Sequence, residues 1–251
     1  GKSMGLIYGF VNDGFYTVDD FNFDETTKKW TLKPGVPDNS SFSSGNFSFK
    51  PGAMKFKKLS DSDSDLITEE DMTVIGNTNP KVTGGFGLSG SWTAFFNYMC
   101  DFDVFNVNKL YLNSAVRRNY SNLSTNMNLA RRFRYVDDAG VNVSSDPVAL
   151  AALNQNAATY SWMSVTQGIT MSDLIEDGSF LRLSTLTVGY TFPQRWLSRL
   201  GVKSLRLYFS GSNLFTLTGY SGYDPEVNIQ KGLTPGIDNN VTPRSRVYTL
   251  G

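Results

Sequence analysis

The side chains whose types and spacing could do chemistry begin with an acidic run, Asp61-Ser62-Asp63-Ser64-Asp65, continuing to Glu69-Glu70-Asp71. Carboxylates at i, i+2 and i+4 match the oxygen spacing of a calcium loop, which makes Asp61, Asp63 and Asp65 candidate ligands for Ca2+. The glycine that gives such a loop its sharp turn is missing, because Leu66 follows Asp65 directly. Without that backbone freedom the oxygens need not converge, and a solvated acidic loop is the competing reading. Glu69 and Glu70 are adjacent, so their side chains diverge and make a poor glycosidase pair. Cys100 is the one cysteine in a chain without histidine. Nothing is present to activate its thiol as His would, and His-dependent triads and most catalytic zinc sites are excluded with it. A single cysteine also excludes an intrachain disulfide framework. The chain reads as a non-enzyme, with no cofactor beyond that candidate calcium.

A second set of residues suits recognition rather than reaction. Asn106, Asn108, Tyr111 and Asn113 open a long segment rich in Asn, Ser, Arg and Tyr. Amides can bond sugar hydroxyls and an aromatic face can cover sugar C–H surfaces, so these four are candidate ligand contacts. Asn-rich loops equally make turns that satisfy their own backbone. Arg131-Arg132-Phe133-Arg134 could grip acidic groups of a substrate or partner, or stand solvated. Lys and Arg number 23 against 23 Asp and Glu, so there is no basic footprint for nucleic acid.

The elements that must position these residues are strands. Across 251 residues there are 23 Gly, 18 Phe and 12 Tyr with modest charge, the profile of a β-protein with many turns. In the stretch 180–192, Leu186, Val188, Tyr190 and Phe192 alternate with Thr185, Thr187, Gly189 and Thr191, the period of a strand with one apolar face. After Pro193 the interruption Gln194–Gly201 reads as one helical turn ending at a glycine. A second strand follows, with Leu205, Leu207 and Phe209 on one face and Arg206, Tyr208 and Ser210 on the other. Upstream, Phe86, Leu88, Trp92, Ala94, Phe96 and Tyr98 alternate with small and polar residues, and a turn near Ser91–Thr93 divides what would be a long single strand. A last strand starts near Arg244. Between 101 and 179 the helical candidate is Pro147–Leu153, capped by Ser145 or Asp146. No run of about 20 apolar residues could cross a membrane as a helix. Strands of about ten residues could cross as part of a barrel, although alternation alone fits a soluble sandwich as well. Aromatic residues at strand ends, and connections that alternate short and long, favour the barrel.

Several motifs, in order, then carry a resemblance. They are Tyr8-Gly9-Phe10-Val11-Asn12-Asp13-Gly14-Phe15-Tyr16, Asp71-Met72-Thr73-Val74-Ile75-Gly76-Asn77-Thr78-Asn79-Pro80, Gly84-Gly85-Phe86, Glu176-Asp177-Gly178-Ser179-Phe180-Leu181-Arg182-Leu183, Leu205-Arg206-Leu207-Tyr208-Phe209-Ser210-Gly211-Ser212-Asn213-Leu214-Phe215, Gly222-Tyr223-Asp224-Pro225-Glu226-Val227 and Pro243–Gly251. Together they resemble the C-terminal part of the SusC/RagA family of TonB-dependent outer-membrane transporters, from about residue 5 to 251.

That resemblance implies an all-β fold, an antiparallel transmembrane β-barrel of about 22 strands plugged by a separate domain, of which this chain would be a C-terminal fragment with long extracellular loops. Residues 1–251 would be barrel, with 101–179 mainly an extracellular loop region and the plug and N-terminal domains absent. It implies import of a large nutrient, a glycan in preference to a peptide, across the outer membrane of a Gram-negative bacterium. The implied partners are a SusD-like surface lipoprotein acting as a lid, TonB reached through the absent plug region, outer-membrane lipid, and a dimer of such transporter–lid pairs. A secreted β-sandwich that binds carbohydrate, and a passive porin-like channel, are the alternatives. Counting strands back from the end puts the connections near 193–203 in the periplasm and Leu186, Val188 and Tyr190 against lipid.

Overall fold

The computed structural model describes residues 4–42, 49–109, 131–161, 169–198, 201–227, 235–239 and 241–251. The chain divides into two compact units. One comprises Gly1–Leu6, Gly76–Phe105 and Glu176–Gly251; the other comprises Ile7–Ile75 and Asn106–Ile175.

The first unit is built on a five-stranded antiparallel sheet. Its strands are β1 (Val82–Ser89), β2 (Trp92–Cys100), β3 (Phe180–Thr191), β4 (Arg206–Thr218) and β5 (Val247–Leu250). They lie side by side in the order in which the chain makes them, an up-and-down meander. The stretch 82–100 is therefore two strands. Ser89 pairs with Thr93 across a tight turn at Gly90 and Ser91, whose closing bond runs from Gly90 N–H to the Trp92 carbonyl at 2.7 Å.

The pairing fixes which residues share a face, because directly opposed side chains point to the same side of a sheet. Leu181, Leu183, Leu186, Val188 and Tyr190 of β3 share a face with Leu217, Phe215, Gly211, Phe209 and Leu207 of β4. Tyr98, Phe96, Ala94 and Trp92 of β2, then Phe86 and Leu88 of β1, continue that face on one flank, and Tyr248 and Leu250 of β5 on the other. Phe86 stacks on Phe96 at 4.9 Å, and Phe209 on Tyr248 at 6.1 Å. Most of this apolar surface is open, Leu217 being 60% and Tyr248 62% exposed. The opposite face carries Arg182, Thr185, Thr187, Thr216, Ser210 and Ser212, with Thr187 and Ser210 hydroxyls 3.0 Å apart.

One irregularity holds five apolar residues of β3 on a single face. Apolar residues fall on odd positions at 181 and 183 but on even positions from 186, and the register of β3 shifts between Leu183 and Thr185 against both neighbours. The bulge at Ser184 absorbs one residue, so all five apolar side chains stay on one face. Facing it in β4, Asn213 takes φ +54, a left-handed conformation that asparagine tolerates.

The ends of the sheet differ. Short connections, at Gly90–Ser91 and between β3 and β4, occupy one end. The long connections, from β2 to β3 and from β4 to β5, leave from the other, where Thr83, Met99, Phe180 and Thr218 lie in register. At the long end Phe102, Val104, Phe180, Tyr220 and Val227 form a small core. Gly178 is required there, since a Cβ would fall 2.4 Å from the Phe102 ring. At the short end Tyr190, Phe192 and Trp196 form an aromatic chain with ring separations of 5.0 and 6.4 Å.

The second unit is made of short pieces around its own core of Tyr16, Phe21 and Ala53, covered by Trp30, Leu32, Val36 and Phe49. Strand pairs Asn12–Phe15 with Met54–Phe56, and Phe21–Asp24 with Lys29–Leu32, frame it. Helix Pro147–Leu153 forms as its capping signal predicts, with Asp146 accepting from the Val148 and Ala149 amides. The described residues of 106–175 belong to one compact unit with those of 7–75. Trp30 Nε1, for example, donates to the Ser144 carbonyl at 3.0 Å. Among the described residues no helix is long and apolar enough to cross a membrane, which says nothing of crossing by strands.

Candidate functional site

The densest polar arrangement in the first unit lies at the long-connection end. Arg182, on the polar face of β3, is 1% exposed. Its Nη2 bonds Asp224 Oδ1 at 2.5 Å, its Nη1 bonds Glu226 Oε2 at 3.0 Å and its Nε donates to Thr216 Oγ1 at 3.0 Å. The Phe180 ring lies 5.0 Å from the guanidinium carbon. Arg244 Nη2 closes the group on Glu226 Oε1 at 2.6 Å. Two cations therefore face two anions, which is what makes burial of such charges tolerable.

These contacts tie down the connection after β4. Ser221 donates from its amide and hydroxyl to Glu176 at 2.9 and 2.8 Å, and Tyr220 donates to Asp238 at 2.5 Å. Burial, then the bond to Asp238, push the Tyr220 phenol far above its ordinary range. Between these anchors Tyr223 stands 84% exposed. The arrangement leaves the Tyr223 ring open to solvent beside the anchored carboxylates.

The residues singled out from sequence are distributed differently. Asp61, Asp63 and Asp65 are exposed, and Asp65 Oδ2 is engaged by the Gly35 amide at 2.7 Å. Among the described residues no three His, Cys, Asp or Glu side chains converge as a cation would require. The carboxylate that organises this loop is instead Asp71, whose side chain is fully buried. It accepts from the Leu59, Ser60 and Thr68 amides at 2.9, 2.8 and 2.9 Å, from Ser60 Oγ at 2.9 Å and from Lys58 Nζ at 3.2 Å. Burial alone would raise its pKa, but these donors outweigh it and hold the carboxyl well below the usual range.

Asn106 is 3% exposed and accepts the Asn108 amide at 3.1 Å, a turn-forming contact, so the structure turns this candidate ligand residue inward. Asn108 is part-buried beside it, and Tyr111 and Asn113 lie outside the described residues. Arg132 is buried and donates to the Tyr160 carbonyl at 3.2 Å, while Arg134 pairs with Asp138 at 2.6 Å. Neither guanidinium is presented as a free grip. Cys100 is exposed, with a free thiol.

The Arg182 group was missed from sequence as a site. One signal could have revealed it. No acidic residue occurs between Asp177 and Asp224, so an arginine buried in that strand must find its carboxylates beyond its neighbours.

No protein-family model matches the chain. It is 26% identical to TonB-dependent receptor P3 of Formosa agariphila over 262 aligned positions, covering the whole chain and 22% of that receptor. It is 33% identical to TonB-dependent receptor SusC of Bacteroides thetaiotaomicron over 135 positions, 53% of the chain and 12% of SusC. In structure, 98% of the chain superposes on 22% of a chain of the RagAB peptide importer in its open-open state, with TM-score 0.54 and 18% identity. The chain is thus similar over its whole length to TonB-dependent receptors, and in fold to the RagAB importer. The open apolar face of β1–β5 has the character of a surface that a membrane-spanning β-barrel turns to lipid. The chain spans about a quarter or less of the length of these curated relatives.

Proposed function

We propose that the chain is a C-terminal stretch of the wall of a plugged barrel of about 22 strands, and that the complete receptor imports a large nutrient in a TonB-dependent manner. A SusD-like surface lipoprotein acts as its lid. The observation that carries this reading is the five-stranded meander, with one face apolar and open and its long connections gathered at a single end. A soluble sandwich would bury that face, and the similarity to TonB-dependent receptors disfavours a passive channel. In this reading the long-connection end faces the cell exterior, and the Arg182 group fixes an outer loop whose exposed Tyr223 meets ligand or lid. The ligand is an oligosaccharide in preference to a peptide, since the exposed Tyr223 ring suits sugar C–H faces.

The test is deletion of the full-length receptor gene, with growth followed on single glycans and on peptides as sole nutrients. Loss of growth on one glycan class, restored by the intact gene, supports the reading. Loss on peptides alone reverses the substrate assignment, and unaltered growth on both overturns import.

A further inference from the structure

The short-connection end carries a feature that barrel closure and nutrient import do not use. Between β3 and β4 the chain folds as a turn of helix, Gln194–Leu197, followed by a left-handed Gly201 at φ +69. Leu197 is buried at 3% and anchors the connection, while Trp196 (52%) projects from it and Val202 and Leu205 are open. The Arg195 guanidinium carbon lies 5.9 Å from the Trp196 ring centroid, a cation held against an indole. Lys203 is exposed on the same connection. The sequence from Pro193 to Arg206 holds four basic residues, Arg195, Arg199, Lys203 and Arg206, and no acidic one, in a protein whose net charge is zero.

We infer that this connection binds the headgroups of anionic phospholipid in the leaflet bordering the short-connection end. Two observations select that occupant. The patch is continuous with the lipid-facing surface, because Phe192 links Trp196 to Tyr190 on the apolar face of β3. Its charge is also complementary, since basic side chains beside a membrane attract anionic headgroups while indole rings settle at the interface. Arg195 and Lys203 supply the charge, and Trp196 sets the depth. Arg206 takes no part, since its guanidinium lies over Gly189 on the opposite face of the sheet. The inference rests on the barrel reading and adds a lipid preference to it.

The test uses the full-length receptor, purified from outer membranes and examined by native mass spectrometry with phosphatidylglycerol or phosphatidylethanolamine added. The parent is expected to retain phosphatidylglycerol preferentially. Arg195→Gln with Lys203→Gln should lower that retention roughly thirtyfold, and Arg195→Lys with Lys203→Arg should restore it. Heat-modifiable mobility on gels reports whether each variant has assembled. If the glutamine variant does not assemble, the parent's preference and its loss at high salt decide the matter. Equal retention of the two lipids by the parent, or undiminished phosphatidylglycerol on an assembled glutamine variant, overturns the inference. A receptor missing from the outer-membrane fraction would instead overturn the barrel reading itself.

Discussion

Arg182 Nη2 lies 2.5 Å from Asp224 Oδ1, joining the polar face of one wall strand to the connection that follows the next strand, 42 residues later. Removing one partner of a buried ion pair leaves the other charge uncompensated, typically at a cost of about 3–5 kcal/mol. Arg182→Ala is therefore expected to destabilise the receptor by about that amount and to loosen the segment around Tyr223. Limited proteolysis of intact cells should cut the variant between 219 and 227 and spare the parent. Arg182→Lys should be intermediate, because an ammonium cannot span Asp224 and Glu226 as the guanidinium does. An uncut Arg182→Ala receptor of unchanged stability would refute the tether.

Val188 and Thr187 are neighbours in sequence on opposite faces of β3. Val188 is 46% exposed on the apolar face, whereas Thr187 meets the Ser210 hydroxyl on the polar one. Val188→Arg places a charge in hydrocarbon, at a cost of about 2–4 kcal/mol near the midplane. Thr187→Arg places the same charge on the polar side, away from lipid. Outer-membrane levels of the folded receptor should fall for the first variant and hold for the second. Equal levels would contradict this assignment of faces.

How much of this was legible in the sequence depended on the range of the interaction. The wall strands were readable because alternation is local, and so were the turn of helix at Gln194 and the cap at Asp146. The turn near Ser91–Thr93 was readable as well, and the structure closes it at Gly90 and Ser91. The second unit was not readable as a unit. Its strands of three or four residues are too short to show a period, and its core joins Tyr16, Phe21 and Ala53 across sequence. The acidic run drew attention by composition, but the buried carboxylate proved to be Asp71, at the run's far end. Burial and amide donors, which no spacing rule reports, made the difference.

Ser184 offers a sharper test of register. Its bulge lets Leu181 and Leu183 share a face with Leu186, Val188 and Tyr190. Deleting the residue would force a choice, since a one-residue slip turns every side chain on one side of the site to the other face. Either the two leucines would enter the polar face with Arg182 turned towards lipid, or the three later residues would be misplaced. Deletion of Ser184 should abolish outer-membrane assembly. Ser184→Ala keeps the residue count and loses only the hydroxyl contact to Asn97, so it should assemble normally. Comparable assembly of the two variants, measured by heat-modifiable gel mobility, would show that the bulge does not set the register.

Asp71 makes stability depend on pH in a definite direction. Its folded pKa lies below the unfolded value of about 3.9, so the stabilisation it contributes is complete above about pH 4 and is lost as pH falls through the folded value. Asp71→Asn removes the charge while keeping the shape, but its amide nitrogen faces backbone donors from Leu59, Ser60 and Thr68. The variant should lose about 2–4 kcal/mol at pH 7, the order expected when a buried charged acceptor is removed. It should also lose part of the parent's decline in stability below pH 4. Hydrogen exchange at the Leu59 and Ser60 amides of the full-length receptor, followed from pH 7 to pH 3, separates the two effects. In the parent, protection should fall with acid; in the variant, it should start low and change little. A variant whose protection matches the parent's across that range would show that another group organises the acidic loop.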